Sequence, residues 1–421
     1  MFVNFCFCCG RKYLFNTEFF CPRCGERRKR SEEETSIQNN FTEELIKHYV
    51  HKGMQYKKIV FLLSRYHGLE ISVSTLKRYL NKMGLKRKNR LFENTSIRRL
   101  IETEVQTFAG IKGYRSIWHT LRISYGISIN RDDVMNILRQ INPAQSENRK
   151  HCKLKRRVYS SQGPNFVWHV DGYDKLKPYG FPIHGCIDGF SRKIIWLKLC
   201  RTNKDPVIPA HFYLNALKEF KVCPDTLRTD CGTENGIIAA IHSFVHNDIN
   251  AHKYGSSQSN QRIENLWSNL KRTYTTSFIE YFKRMVFNDD LRLGDCFQME
   301  CVWFSYSELI QFELDKMKEE WNSHNIRKTR HANVHGIPDE MFYLPELYNY
   351  QQCGVNINDD ILSGILSQRD IHAEAYEILN KSDLQLVNYF KDVVNEKGLK
   401  MPPRNWDEAR KIYNTIIYQA I

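Results

Sequence analysis

Apolar residues recur along this chain at two different periods, and the period changes near residue 160. Before that point the spacing is helical. Leu45, Ile46 and Tyr49 follow Thr42, which predicts a capped helix, and Ile59, Leu62, Leu63 and Tyr66 make a second stripe at three- and four-residue steps. Gly68 breaks the stripe. Ser72 or Ser74 is then placed to cap a third helix, Thr75 to Met83, with Leu76, Tyr79 and Leu80 inward and Lys77, Arg78 and Lys82 outward. The stretch Glu32-Glu33-Glu34-Thr35-Ser36 ahead of these helices reads as an acidic linker. A further helical unit follows from about Thr95 to Ile141, with Ile97, Leu100, Ile101 and Val105 on one face and Trp118 and Leu121 as core.

From Asn165 the period is two. Phe166, Trp168 and Val170 face one way and Val167, His169 and Asp171 the other, so Asp171 emerges from a strand. Pro182 to Ile187 and Lys193 to Leu199 read as a hairpin around the turn Asp188 to Arg192. A helix over Pro206 to Phe220 precedes a short fourth strand, Thr226 to Asp230. Ser259 to Tyr274 is then a helix that packs Ile263, Leu266, Trp267 and Leu270 and carries Glu264 on its flank. Later helices are expected over Glu308 to His324, Ala373 to Leu379, Leu384 to Val394 and Trp406 to Ile417.

With 421 residues, 42% of them hydrophobic and 13% aromatic, the chain is long enough for several domains and apolar enough to build cores in them. The net charge of +15 suits a polyanionic partner. Basic residues gather in runs at 27–30, 86–90 and 149–157, where domain boundaries are expected, so these read as linkers that track phosphates. No apolar stretch approaches membrane-spanning length and the first twenty residues lack a signal-peptide core, which predicts a soluble protein outside the classical secretory route, with no membrane partner.

The thirteen cysteines are expected to be reduced, and four of them form two matched pairs. Cys6 and Cys9, followed by Gly10, and Cys21 and Cys24, followed by Gly25, are two Cys-x-x-Cys-Gly knuckles with eleven residues between them. That spacing brings four thiolates to one tetrahedral ion, and each glycine permits the turn that aims backbone amides at sulfur. Structural Zn²⁺ in a ribbon is the expectation. Cys8 competes for either place in the first knuckle. The helix, helix, glycine turn and basic helix that follow have the layout of a helix-turn-helix, with Lys77, Arg78 and Lys82 directed at DNA.

Three acids occupy separate signatures in the middle of the chain: Asp171 in Phe166-Val167-Trp168-His169-Val170-Asp171-Gly172, Asp230 in Leu227-Arg228-Thr229-Asp230-Cys231-Gly232-Thr233-Glu234-Asn235, and Glu264 in Asn260-Gln261-Arg262-Ile263-Glu264-Asn265-Leu266-Trp267. Thirty-three residues separate the last two. Three carboxylates give hard oxygen ligands for Mg²⁺ or Mn²⁺, and two such ions suit an in-line displacement at phosphorus. Arg262, Lys271 and Arg272 near Glu264 are candidate phosphate contacts.

These motifs, their order and the succession of three antiparallel strands, helix, strand and acid-bearing helix resemble the retroviral-type integrase core of the DDE transposase and integrase superfamily. The segment Gly113 to Arg122 with Ile129 to Val134 resembles the helices that precede that core in insertion-sequence transposases, and Ala332 to Pro338 resembles the end of the core. Asn265 stands where the family commonly has arginine. The resemblance, over about residues 95 to 345, implies an RNase H-like fold, a catalytic triad Asp171, Asp230 and Glu264 with Asp171 shared by both metal ions, and metal-dependent DNA strand cleavage and transfer.

The resulting expectation is a multidomain α+β protein: a zinc ribbon at 1–30, a helix-turn-helix at 40–90, a second helical linker unit at 95–150, an RNase H-like α/β catalytic core at 160–345 and a helical region at 350–421. Its partners would be double-stranded DNA, both element ends and target, and further copies of itself. Its place would be the nucleus, or the cytoplasm or nucleoid in a prokaryote. The alternative is a captured integrase that survives as a DNA-binding protein. A nuclease of the same fold would need a different acid set, with one member on the early strands.

Overall fold

The strand carrying Asp171 is the centre of the sheet because both of its faces are apolar enough to be covered. β1 (Val167–Tyr173) pairs antiparallel with β2 (Ile183–Asp188), and β2 with β3 (Ile194–Leu199). On its other side β1 runs parallel to β5 (Thr226–Thr229), which pairs parallel with β6 (His252–Tyr254), so the order is β3-β2-β1-β5-β6. β4 (Val222–Cys223) leaves this sheet and pairs with β7 (Val355–Asn356). The computed structural model describes residues 32–419 apart from 53, 86–93, 107–112, 128, 142–158, 256–259, 329–333, 369 and 381–383. It divides into two compact units, residues 1–91 with 121–130 and residues 92–120 with 131–421.

The two faces of the sheet carry separate cores. Trp168, Val170, Cys186, Trp196 and Leu227 pack under α7 (Val207–Phe220) and α8 (Gly236–His246). On the opposite face Tyr173, Ile183, Ile187 and Leu197 meet α9 (Gln261–Leu270), α10 (Thr276–Phe287) and the long α11 (Cys296–Ser323). Burial of this many aliphatic and aromatic side chains, each contributing about 1.5–3 kcal/mol, holds the sheet rigid between its layers. After the short α12 (Pro338–Tyr343), α13 (Asp359–Gln368) and α14 (Ile371–Leu379) extend the first core, while α15 (Leu384–Glu396) and α16 (Trp406–Gln419) extend the second against α11. The residues beyond 350 therefore enlarge the cores on either side of the sheet.

Several expected boundaries shift for physical reasons. α9 continues through a wide turn, Lys271–Thr275, into α10, because the backbone absorbs one extra residue there without breaking the helix. α11 begins at Cys296, twelve residues before the predicted start, where the Asp295 carboxylate accepts from Phe297 N and Gln298 N and caps it. His252–Tyr254 adds a strand that was too short and polar to declare itself.

In the first unit, α1 (Glu32–His51), α2 (Tyr56–His67) and α3 (Val73–Lys82) pack around Ile46, Ile59, Leu62, Leu63, Leu76 and Leu80. Glu32 to Ser36, expected as a linker, is helical; glutamate is a strong helix former, and the helix runs on past Thr42, which is buried inside it. Ser72 is the cap of α3, its Oγ accepting from Thr75 N at 3.0 Å. Gly68, at φ +61°, closes α2 in the left-handed conformation that glycine adopts freely.

The second unit also contains α4 (Asn94–Gln106), the part of α5 (Tyr114–Ile123) up to Thr120, and α6 (Arg131–Ile141). Trp118 is half-buried, not core, with the Arg131 guanidinium over its ring at 4.3 Å. Buried polar groups tie these helices to α11: Thr120 Oγ1 donates to Glu320 Oε1 at 2.7 Å, His119 Nε2 lies 2.9 Å from Ser323 Oγ, and Lys316 Nζ lies 3.7 Å from Glu104 Oε1. Tyr274 Oη donates to the other Glu320 oxygen at 3.1 Å.

Candidate active site

Asp171 lies toward the carboxyl end of β1, and Asp230 is the first residue past the carboxyl end of β5. Because β1 and β5 are parallel neighbours, both acids reach the same edge of the sheet. This is the side on which open α/β sheets place their ligands. Glu264 comes to that edge on α9, which packs on β1 and β2 through Ile263, Leu266, Trp267 and Leu270.

One turn after Glu264, Trp267 reaches back and its Nε1–H donates to Asp171 Oδ2 at 2.9 Å. Gly172 N donates to Asp171 Oδ1 at 2.9 Å. The indole has room because Gly185 faces Asp171 across the β1–β2 pair; a Cβ there would sit 2.6 Å from Trp267 Cη2. Burial pushes the Asp171 carboxyl up to about 7, the charges of Asp230 and Glu264 push it the same way, and the bonds from Trp267 and Gly172 oppose the shift. The three acids thus share one electrostatic neighbourhood. Asp230 is oriented from its own loop, where Asn235 Nδ2 donates to its Oδ1 at 2.7 Å.

The start of α9 is fixed by a buried relay from β1. His169 Nδ1–H donates to Asn260 Oδ1, Asn260 Nδ2 donates to Val170 O at 3.2 Å, and Asn260 O accepts from Glu264 N at 3.2 Å. Tyr159 Oη–H completes the relay by donating to His169 Nε2 at 2.8 Å. Burial drives His169 down to about 3, so the ring is neutral, as a donor at Nδ1 and acceptor at Nε2 must be. His169 is therefore a positioning group on the buried side of β1, two residues from Asp171. From the sequence Trp267 is expected only to pack, and nothing in its composition singles out Asn260. The signal was present: Asn260 is four residues before Glu264 and Trp267 three after, one helical turn in each direction.

Asp188, the acid on an early strand, is fully buried and spoken for. It accepts from Asn165 N, Ser191 N and Ser191 Oγ at 2.8, 2.7 and 2.6 Å and staples the β2–β3 turn. Asp174 is held by Asn203 Nδ2 at 2.9 Å and Lys177 Nζ at 2.8 Å.

Residues 158–352 match the integrase core domain family. That stretch of the chain is an integrase core domain. Its mixed sheet, three antiparallel strands followed by two parallel ones, with helices on both faces, fits that core. Among solved structures, the integrase core's chain is similar to one in the cryo-electron-microscopy structure of a simian T-cell lymphotropic virus intasome in complex with the PP2A regulatory subunit B56 gamma, at 13% identity and a TM-score of 0.35, over 62% of this chain and 76% of that one. No curated protein matches the chain.

Around the integrase core's acids the basic residues differ in availability. Arg262 is turned inward: its guanidinium stacks on Tyr159 at 3.9 Å and its Nε donates to Gly189 O at 2.9 Å. It braces the relay beneath α9 instead of lying on the polar side of the helix. Lys271 and Arg272 are exposed, Arg272 bonding to Asn269 Oδ1 at 2.8 Å. In the first unit Lys77 and Arg78 are exposed on α3, whereas Lys82 pairs with Glu43 Oε1 at 2.9 Å. Cys6, Cys9, Cys21 and Cys24 lie outside the described residues. Among the described residues no helix is long and apolar enough to cross a membrane.

Proposed function

We propose that this protein is a DDE polynucleotidyl transferase, a transposase or integrase that cleaves and joins DNA strands with divalent metal, and that Asp171, Asp230 and Glu264 are its catalytic acids. The observation that carries the reading is the convergence of the three on one sheet edge, with Asp171 pushed up to about 7 by burial and by the charges of the other two. Such mutual repulsion is relieved by cations, and an all-oxygen donor set suits Mg²⁺ or Mn²⁺. Asp171, Asp230 and Glu264 would hold the metal, with Asp171, whose carboxyl feels the charge of both other acids, as the ligand common to two ions. Bound metal would polarise the attacking hydroxyl and stabilise the leaving oxygen.

The chain's own residues supply the rest. Trp267 and Gly172 fix both Asp171 oxygens, Asn235 orients Asp230, and the His169–Asn260 relay sets the first turn of the helix that carries Glu264. Lys271 and Arg272 are exposed beyond Glu264 on the same continuous helix and serve as phosphate contacts. Lys77 and Arg78 on α3 read the element ends, and the four cysteines at 6, 9, 21 and 24 hold a structural Zn²⁺. The protein acts on double-stranded DNA as a homo-oligomer, in the nucleus if its host is eukaryotic.

The test is strand transfer by the full chain on a labelled duplex carrying the element's own ends, with Mg²⁺ or Mn²⁺. Activity that survives Asp171→Asn, Asp230→Asn and Glu264→Gln would sink the assignment.

A further inference from the structure

Away from the carboxylate edge, in the core under α7 and α8, Cys223 of β4 faces two histidines one turn apart on α8. Cys223 Sγ lies 3.4 Å from His242 Nδ1 and 3.5 Å from His246 Nε2, and the three donor atoms all fall within 4.8 Å of one another. Cys223 and His242 are buried and His246 half-buried. For tetrahedral zinc, with bonds of ~2.3 Å to sulfur and ~2.0–2.1 Å to nitrogen, the sulfur–nitrogen edge is about 3.6 Å. Both sulfur–nitrogen distances lie within 0.2 Å of that edge.

We infer that Cys223, His242 and His246 form a zinc site, separate from the carboxylates and structural in role. The donor set is soft sulfur and imidazole, which selects Zn²⁺ over Mg²⁺. Spacing of i and i+4 on α8 aims both rings at the one sulfur. The fourth position lies beside Tyr213 Oη, 2.7 Å from His242 Nδ1 and 3.1 Å from Cys223 Sγ. The same atoms are held by hydrogen bonds: Tyr213 Oη bonds to His242 Nδ1, and His246 Nε2–H donates to Pro224 O at 2.7 Å. On binding, the Cys223 thiol releases its proton to solvent and His246 moves its ring proton from Nε2 to Nδ1. His242 would bind through Nδ1 with its ring proton on Nε2. No oxidation or reduction occurs. The bound ion would clip β4 to α8 and close the loop from 223 to 246, which contains β5 and Asp230.

The experiment is elemental analysis of the full chain, purified without chelator and supplied with Zn²⁺ alone, alongside Cys223→Ala and His246→Gln, each checked for folding by circular dichroism. Wild type is expected to retain one more equivalent of zinc than either variant. In Co²⁺-loaded protein, the wild-type minus His246→Gln difference should show a tetrahedral visible band with thiolate charge transfer. Equal zinc content in wild type and folded His246→Gln overturns the inference and leaves a hydrogen-bonded core in its place. If Cys223→Ala does not fold, His246→Gln decides alone. The measurement counts metal and not strand transfer, so its outcome is independent of the function proposed above.

Discussion

Two clusters share one stretch of chain, residues 222–246, which supplies Asp230 to one and Cys223, His242 and His246 to the other, and they are opposites. The Asp171, Asp230 and Glu264 edge offers oxygen only, at the end of the sheet. Around Asp171, burial and neighbouring negative charge leave a carboxyl pushed up to about 7. The Cys223, His242 and His246 cluster offers sulfur and nitrogen, is packed beside a core, and is held by hydrogen bonds to Tyr213 and Pro224. The first is built with an electrostatic need, the second with hydrogen-bonded partners already in place. Donor softness and access to solvent separate the two.

The largest blow to this contrast comes at the edge itself. Asp171→Asn, Asp230→Asn or Glu264→Gln should each lower strand transfer by about three orders of magnitude, ~4 kcal/mol of barrier, in a gel assay with Mg²⁺. Each should leave thermal unfolding of the metal-free protein intact or improved. A loss of folding instead would mean the acids are structural, like Asp188.

Trp267→Phe removes one donor to Asp171 while keeping an aromatic body. Charge-assisted hydrogen bonds of this kind contribute about 1.5–3 kcal/mol, so activity should fall about tenfold or more and its rising limb should move to higher pH. Gly185→Ala should reproduce much of that loss by pushing the indole aside. An unchanged pH profile in both variants would show that Trp267 only packs.

Stability should carry the same signature with a definite sign. The Asp171 carboxyl rises from 3.8 to about 7 on folding, so its neutral form favours the native state. That contribution is fully present below about pH 4 and is lost as pH climbs through 7. In urea denaturation without metal, Asp171→Asn should therefore gain on wild type between pH 4 and 8, by on the order of 1–3 kcal/mol at the top of the range. A difference that stays flat would put Asp171 in water.

Much of the carboxylate edge is legible in the sequence, and almost none of the sulfur cluster is. Alternating residues 166–171 marked β1 and put Asp171 opposite Trp168 and Val170, as the two cores require. Glu264 was readable from the helical stripe that packs beneath it. Cys223, by contrast, has no partner cysteine two residues away, and its histidines come nineteen and twenty-three positions later, so only the packing of α8 brings them together. Arg262 was misplaced for a related reason: helical phase alone does not show that Tyr159, far back in the chain, supplies a ring for it to stack on.

The smallest expected effect lies on the exposed continuation of α9. Lys271→Ala and Arg272→Ala should each weaken DNA binding severalfold and reduce the salt dependence by about one charge, measured by titration at several salt concentrations. Arg262→Ala should act differently, lowering thermal stability, since its guanidinium is committed to Tyr159 and Gly189.

The Glu320 carboxylate sets where this chain can be cut. One of its oxygens takes a hydrogen bond from Thr120 and the other from Tyr274, so a single acid on α11 is shared between a helix ahead of residue 158 and the helical turn that follows Glu264. A fragment begun at 158 would strip one of those donors and expose a surface built for α5. The span recognisable as a family is thus shorter than the span that must be expressed together, and a soluble truncation should begin ahead of α4.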